Sequence, residues 1–200
     1  MKTIETLEEL EAFYGTPSAP ALNKVQSRLT PCYRKWIEAS KFLVLITVGE
    51  AGTDGSPRGD DGPVVRIADS KTLLLPDWWG NNRLDSLRNI VTDGRVSLMF
   101  MVPGSTTVVR VNGAAVVSGD DALTSSFEKK GKRPKTVTVV TIGEVYFQCA
   151  KALMRSALWS EGDRSAGLPT AGEFIREFTE GFDARGYDDG YGDYAKDRMW

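Results

Sequence analysis

Histidine is absent from this chain of 200 residues. That excludes Ser-His-Asp and Cys-His nucleophilic catalysis, histidine-held metals and haem ligated by histidine. An enzyme of this composition draws most of its chemistry from a cofactor or from water. Cysteine is nearly absent too. Cys32 and Cys149 are the only two, and neither belongs to a Cys-X-X-Cys pair. No zinc site is indicated, and both read as small, semi-buried thiols. No metal site is expected. An excess of basic charge is also missing. The 25 Lys and Arg are outnumbered by 27 Asp and Glu, giving a net charge of −2, which argues against general nucleic-acid binding. No apolar run approaches the roughly 20 residues of a membrane span. The opening residues MKTIETLEELEAF are acidic and lack the apolar core of a signal peptide. The expected location is therefore cytoplasmic, with no membrane partner.

What remains is the composition of an ordinary globular protein, 41% hydrophobic and 26% charged, and a length that suits one domain over residues 1–200. Residues 1–40 read as a helical N-terminal extension. Thr6 with Glu9 forms a capping-box pattern that opens a short helix over LEELEAFY. Leu22, Val25 and Leu29 have helical spacing, and Pro31 suits the first turn of a helix reaching Ala39. The pattern then changes to strands: Phe42–Val48, PVVRIAD, KTLLLP, Arg95–Val102, Thr106–Val117 and Lys135–Cys149. Glu50–Gly62 reads as a Gly/Asp/Ser/Pro loop. One helix, residues 83–92, interrupts five or six strands joined by short turns. Long parallel crossovers are missing, so a small six-stranded antiparallel Greek-key barrel with flanking helices, an α+β arrangement, is expected. Residues 160–200 return to a helix and end in a Gly/Asp/Tyr-rich tail. That tail is either mobile or laid across a partner subunit.

The stretch Ser56–Ile90 carries the chemistry. It holds two apolar strands, a Gly-Asn-Asn turn and an amphipathic helix that opens with Arg83. A helix start offers free backbone N–H groups and a favourable dipole to an anion, and Arg83 adds a planar fork of donors. Asn82 with Asp85 three residues later is equally an ordinary N-cap pattern. Trp78 and Trp79 suit either stacking on a flat ligand or pinning a turn or interface. Lys151 and Arg155, four apart, share a helix face and suggest a nearby anion or a solvated stripe. Arg66 alternates with apolar neighbours and reads as an outward-facing barrel position. The basic run Lys129–Lys135 reads as an exposed loop.

SPRGDDGPVVRI, LLLPDWWGNNRLDSLRNI, RVSLMF, VNG and CAKALMRSALW, in this order across residues 30–160, resemble the pyridoxamine 5′-phosphate oxidase-related flavoproteins. The resemblance implies a split β-barrel and a homodimer with FMN at the subunit interface. Matched block by block, it implies cofactor-binding roles for Arg58, for Leu75 and Pro76 beside the flavin ring, and for Asn82 and Arg83 at the phosphate turn. Ser86 and Arg88 follow on the same helix, and Arg110 lies before VNG. Lys151, Arg155, Ser156 and Trp159 fall in the C-terminal block, where a second subunit closes the site. The oxidase proper has a Ser-Arg-Lys phosphate turn where this chain has Asn-Asn-Arg. Its C-terminal Trp-to-Arg pattern for pyridoxal phosphate is missing. The resemblance thus implies an FMN-dependent oxidoreductase acting on a small molecule other than pyridoxamine phosphate, with no assigned catalytic side chain. A non-catalytic flavin-storage module and a deazaflavin-dependent reductase on the same barrel are the alternatives.

Overall fold

The computed structural model describes residues 1–200. Three helices come first: α1 (Leu7–Glu11), α2 (Ala19–Asn23) and α3 (Pro31–Ala39). Seven strands then follow: β1 (Phe42–Gly49), β2 (Gly52–Gly59), β3 (Arg66–Ile67), β4 (Thr72–Asp77), β5 (Arg95–Met101), β6 (Val108–Ser118) and β7 (Thr136–Gln148). Helix α4 (Asp85–Thr92) interrupts them between β4 and β5, and the short α5 (Asp121–Ser125) between β6 and β7. Helices α6 (Lys151–Ser156), α7 (Ala171–Phe178) and α8 (Ala184–Lys196) close the chain. No helix is long and apolar enough to cross a membrane.

All strands join one antiparallel sheet in the order β2-β1-β5-β6-β7-β4-β3. Alternate residues along each strand point inward, as the two-residue period requires. Leu43 and Leu45 of β1, Leu98 and Phe100 of β5, Val109 and Val111 of β6, and Val140 and Val145 of β7 form the core with Leu73 of β4. Ile37 of α3 and Ile90 of α4 pack into it. α3 starts at Pro31, whose fixed φ and missing N–H suit a first turn, with Thr30 capping the Tyr33 amide. α4 is drawn onto β1 by Asn89, whose amide donates to Thr47 Oγ1 at 3.1 Å. A Cβ on Gly49 would fall 2.1 Å from Asn89 Oδ1, so any other residue there would push the Asn89 amide off Thr47. A bulge at Asn112/Gly113 bends β6 against β7.

The edge strand β2 and the far end of β4, beyond its short pairing with the other edge strand β3, come together without a backbone ladder. Side chains close the gap instead: Arg58 Nη1 donates to Asp77 Oδ1 at 2.7 Å, and Trp78 Nε1 to Asp60 Oδ2 at 3.2 Å. The result is a split barrel.

Several elements differ from the sequence reading. There are seven strands where six are expected, because Gly52–Gly59 is a strand and not part of a loop. Its Gly, Asp, Ser and Pro residues carry no strand signal, but hairpin pairing with β1 holds it. Pro57 is tolerated because β2 is an edge strand. Val25–Leu29 is not helical. Gln26 exchanges backbone hydrogen bonds with Val145 at 3.0 and 2.8 Å, and Leu29 is buried in the core. α4 begins at Asp85, and Asn82 does not cap it. The cap residue is Leu84, in a left-handed conformation (φ 63°), with no side-chain cap. Both cysteines are exposed, Cys32 in the first turn of α3 and Cys149 just past β7. Most of the Gly/Asp/Tyr-rich tail is helix α8. It packs on α7, where Asp188 Oδ1 accepts from the Gly172 amide at 2.9 Å.

Candidate functional site

The polar side of the split is built by register. Paired residues of an antiparallel ladder share a face. Asp54, Ser56 and Arg58 of β2 pair with Thr47, Leu45 and Leu43 of β1, so they continue the barrel's inner face. That face is apolar on β1 and polar on β2. Between β2, the end of β4 and the start of α4 lies a cleft of about 530 Å³, within the range of small-ligand sites. β2 runs along it for roughly 20 Å at strand rise.

The two ends of the cleft differ. At one end stands α4. The amides of Asp85, Ser86 and Leu87 have no acceptor in the protein, and no side chain caps them. Ser86 Oγ donates to Asp54 Oδ2 at 2.5 Å, and Arg83 Nε pairs with Asp85 Oδ2 at 2.5 Å. Asn82 (φ 60°) and Leu84 (φ 63°) are both left-handed. Asparagine takes this conformation readily, whereas for leucine it costs about 1 kcal/mol or more. The turn is thus held by its surroundings.

At the other end Trp78 and Asp60 form the wall. Lys129 Nζ reaches Asp60 Oδ1 at 2.6 Å and also bonds Asp61. The hydrogen bond from Lys129 holds the Asp61 carboxyl below the usual carboxylate range. Burial pushes Lys129 down, but its bonds to Asp60 and Asp61 outweigh this and leave its ammonium above the ordinary lysine value.

Between the ends, Arg58 is half-buried. One nitrogen is spent on Asp77, while its Nε is buried with no acceptor. A buried, unpaired donor is costly and calls for a partner. Leu75–Asp77 have no strand neighbour on the cleft side, because β3 pairs only with Leu73 and Leu74. Of the acids lining the cleft, Asp77, Asp85 and Asp60 are paired with Arg58, Arg83 and Lys129, and Asp54 accepts from Ser86. Lys135 is the cleft cation without a carboxylate partner. Its Nζ lies 3.4 Å from Asn82 Oδ1 and 5.4 Å from the Trp79 ring centre.

Of the sequence-derived site residues, Arg58, Leu75, Pro76, Asn82, Arg83 and Ser86 meet around this cleft. The others lie elsewhere. Arg88 is exposed on α4. Arg110 stands on the outer face of the sheet, with its guanidinium carbon 5.7 Å from the Tyr146 ring centre. Lys151, Arg155 and Ser156 are exposed on α6, and Trp159 Nε1 donates to the Ser105 carbonyl at 2.8 Å. Arg66 is exposed, stacked on Phe127 and bonded to Ser126. Sequence reasoning missed Asp54, Asp77, Lys135 and Met199 as cleft residues. Only the pairing of Thr136 with Asp77 brings Lys135 to the turn.

The sequence profile of the family described as pyridoxamine 5′-phosphate oxidase matches residues 29–149. Among solved structures, HupZ of Group A Streptococcus is similar at 18% identity, with 60% of this chain and 93% of that one covered and a TM-score of 0.49. A Lactobacillus delbrueckii protein assigned provisionally as a pyridoxamine 5′-phosphate oxidase shares 24% identity over 60% of this chain and 95% of that one, at a TM-score of 0.49. An FMN-binding protein from Syntrophomonas wolfei shares 15% identity over 58% and 88%, at a TM-score of 0.41. No curated protein sequence is significantly similar.

Proposed function

The chain belongs to the pyridoxamine 5′-phosphate oxidase family, and from that premise we propose that it binds FMN in the split of its barrel and acts as an oxidoreductase on a small molecule. The observation that carries this reading is the unpaired Nε of Arg58, buried beside a cleft whose far end presents three free helix amides. These groups fit a ligand with a phosphate at one end and a flat, acceptor-rich ring at the other. The amides of Asp85–Leu87 with Arg83 and Lys135 would hold the phosphate. Arg58 and the free backbone edge of Leu75–Asp77 would meet the ring and favour negative charge on it.

Bound FMN supplies hydride acceptance and onward electron transfer, which a histidine-free side-chain set does not. The protein's own work is binding, orientation and the exclusion of water. No side chain of the cleft needs to act as an acid or base.

The same proposal extends to a homodimer. The outer sheet face carries half-buried Val44, Ile46 and Met99, together with Ser97 Oγ and Arg110 Nε, both buried without partners. Helix α6 and the turn after it expose Met154, Leu158 and Trp159. A two-fold contact through such a face covers both. Lys151 and Arg155 would then act on the partner's cleft, since they do not reach their own.

Purified protein should be yellow or take up added FMN with a shift in its visible spectrum. A protein that binds neither FMN nor a deazaflavin refutes the reading. Binding without reduction by NADH, NADPH or any small reductant points to the storage role, and a preference for deazaflavin points to the alternative reductase. Light scattering at micromolar concentration should show a dimer.

A further inference from the structure

The segment Asp197–Trp200 follows α8 and lies against the Trp78 end of the cleft. Met199 lines the cleft itself. The Trp200 ring meets Trp78 edge to face, with centres 5.6 Å apart and planes at 88°. Lys129 Nζ sits 3.7 Å from the centre of the Trp200 ring, and Lys132 Nζ donates to the Asp197 carbonyl at 2.6 Å. We infer that Asp197–Trp200 is a strap that closes the ring end of the cleft, with Trp200 as the latch and Met199 as the face turned to the ligand. This rests on the flavin reading of the cleft.

Two features make it a strap and not a fixed wall. Its attachments are one edge-to-face contact, two cation–π contacts, from Lys129 and at 5.8 Å from Lys130, and one hydrogen bond to an exposed lysine, each individually weak. Met199 remains half exposed, so little apolar area holds the segment down. The platform beneath it is firmer. Lys129 is tied to Asp60 and Asp61, and Asp60 also takes the Trp78 indole proton. The strap can therefore leave while Trp78, Asp60 and Lys129 keep their places. Its position opposite the helix amides means that it controls the reactive end of a bound flavin rather than its phosphate. It sets the size of molecule that reaches the ring.

The test uses the full chain loaded with FMN. Losing the latch contacts should speed FMN dissociation about tenfold in Trp200→Ala, since the edge-to-face and cation–π contacts go together. Iodide should quench the bound FMN fluorescence more steeply in Trp200→Ala and in Met199→Ala. Arg83→Ala, at the far end, should weaken FMN binding without steepening the quenching. Unchanged dissociation and quenching in both strap variants overturn the inference. If the wild-type chain binds no FMN, the flavin reading fails, and the strap is decided on the ligand-free protein by NMR. A nuclear Overhauser contact between the Trp78 and Trp200 rings sustains closure, and its absence refutes it.

Discussion

The Arg58–Asp77 pair offers the sharpest test, because one side chain serves the seam of the barrel with one nitrogen and the cleft with another. The two carboxyl and guanidinium side chains are 17% and 24% exposed. That places them between surface pairs, which contribute about 0.2–1 kcal/mol, and buried pairs, whose breakage costs about 3–5 kcal/mol. Arg58→Ala should therefore cost about 1–2 kcal/mol in the FMN-free protein. For a chain of this size that lowers Tm by roughly 2–8 °C. Arg58→Lys keeps a cation beside Asp77 but deletes Nε. Its Tm should stay within about 2 °C of wild type, while FMN binding weakens about tenfold for one lost charge-assisted hydrogen bond. Calorimetry on the ligand-free protein and fluorescence titration with FMN read the two effects separately. A double-mutant cycle with Asp77→Asn then isolates the seam. If Arg58→Lys loses stability but binds FMN normally, Nε is not a ligand contact and the reasoning fails.

Further outcomes follow from the same geometry. Asp85→Asn removes a negative charge from the start of α4 and frees Arg83, so FMN should bind several-fold tighter by titration; Arg83→Ala should bind it about tenfold more weakly. A Cβ on Gly113 would lie 2.0 Å from the Thr141 carbonyl oxygen and 3.0 Å from the Gly143 nitrogen, both backbone atoms. Gly113→Ala should lower stability by about 2–3 kcal/mol in urea unfolding. The Lys129–Asp61 contact gives the strap a pH window. Asp61 is held low, so the pair is complete above the ordinary carboxylate range and is lost as pH falls through the lowered value. Lys129 is held high, so the pair survives until pH rises past the ordinary lysine value. The Trp78–Trp200 ring contact, followed by NMR in the ligand-free protein, should stay constant between about pH 5.5 and 9.5 and fade only below the ordinary carboxylate value and above the ordinary lysine value.

Local signals made most of the sheet legible, and tertiary pairing hid the rest. Strands β1, β4, β5, β6 and β7 are dense in Val, Ile, Leu and Phe, and each was readable from its own residues. β2 was not, because GTDGSPRG has the composition of a loop and becomes a strand only through its neighbour. Val25–Leu29 had helical spacing, yet two backbone bonds to Val145 and the burial of Leu29 won over it. In the cleft, Asn82, Arg83 and Ser86 could be grouped because they share one turn and helix start, whereas Arg58, on β2, joined them only through the family resemblance. Lys135 and Met199 could not. They lie far along the chain, and only the register of β7 and the course of α8 deliver them. Asp77 follows KTLLLP with no local mark of a role, and only the seam gives it a partner.

The side-chain seam also has a dynamic consequence. Everywhere else in the barrel, parting two strands means breaking a run of backbone hydrogen bonds. Between β2 and β4, only an ion pair and an indole bond to Asp60 stand in the way. Local opening should therefore cost least along this line. A ligand can be admitted there while every ladder stays shut. Loading would then proceed without passing near the unfolded state, and hydrogen exchange in β5, β6 and β7 would stay slow through each exchange of ligand.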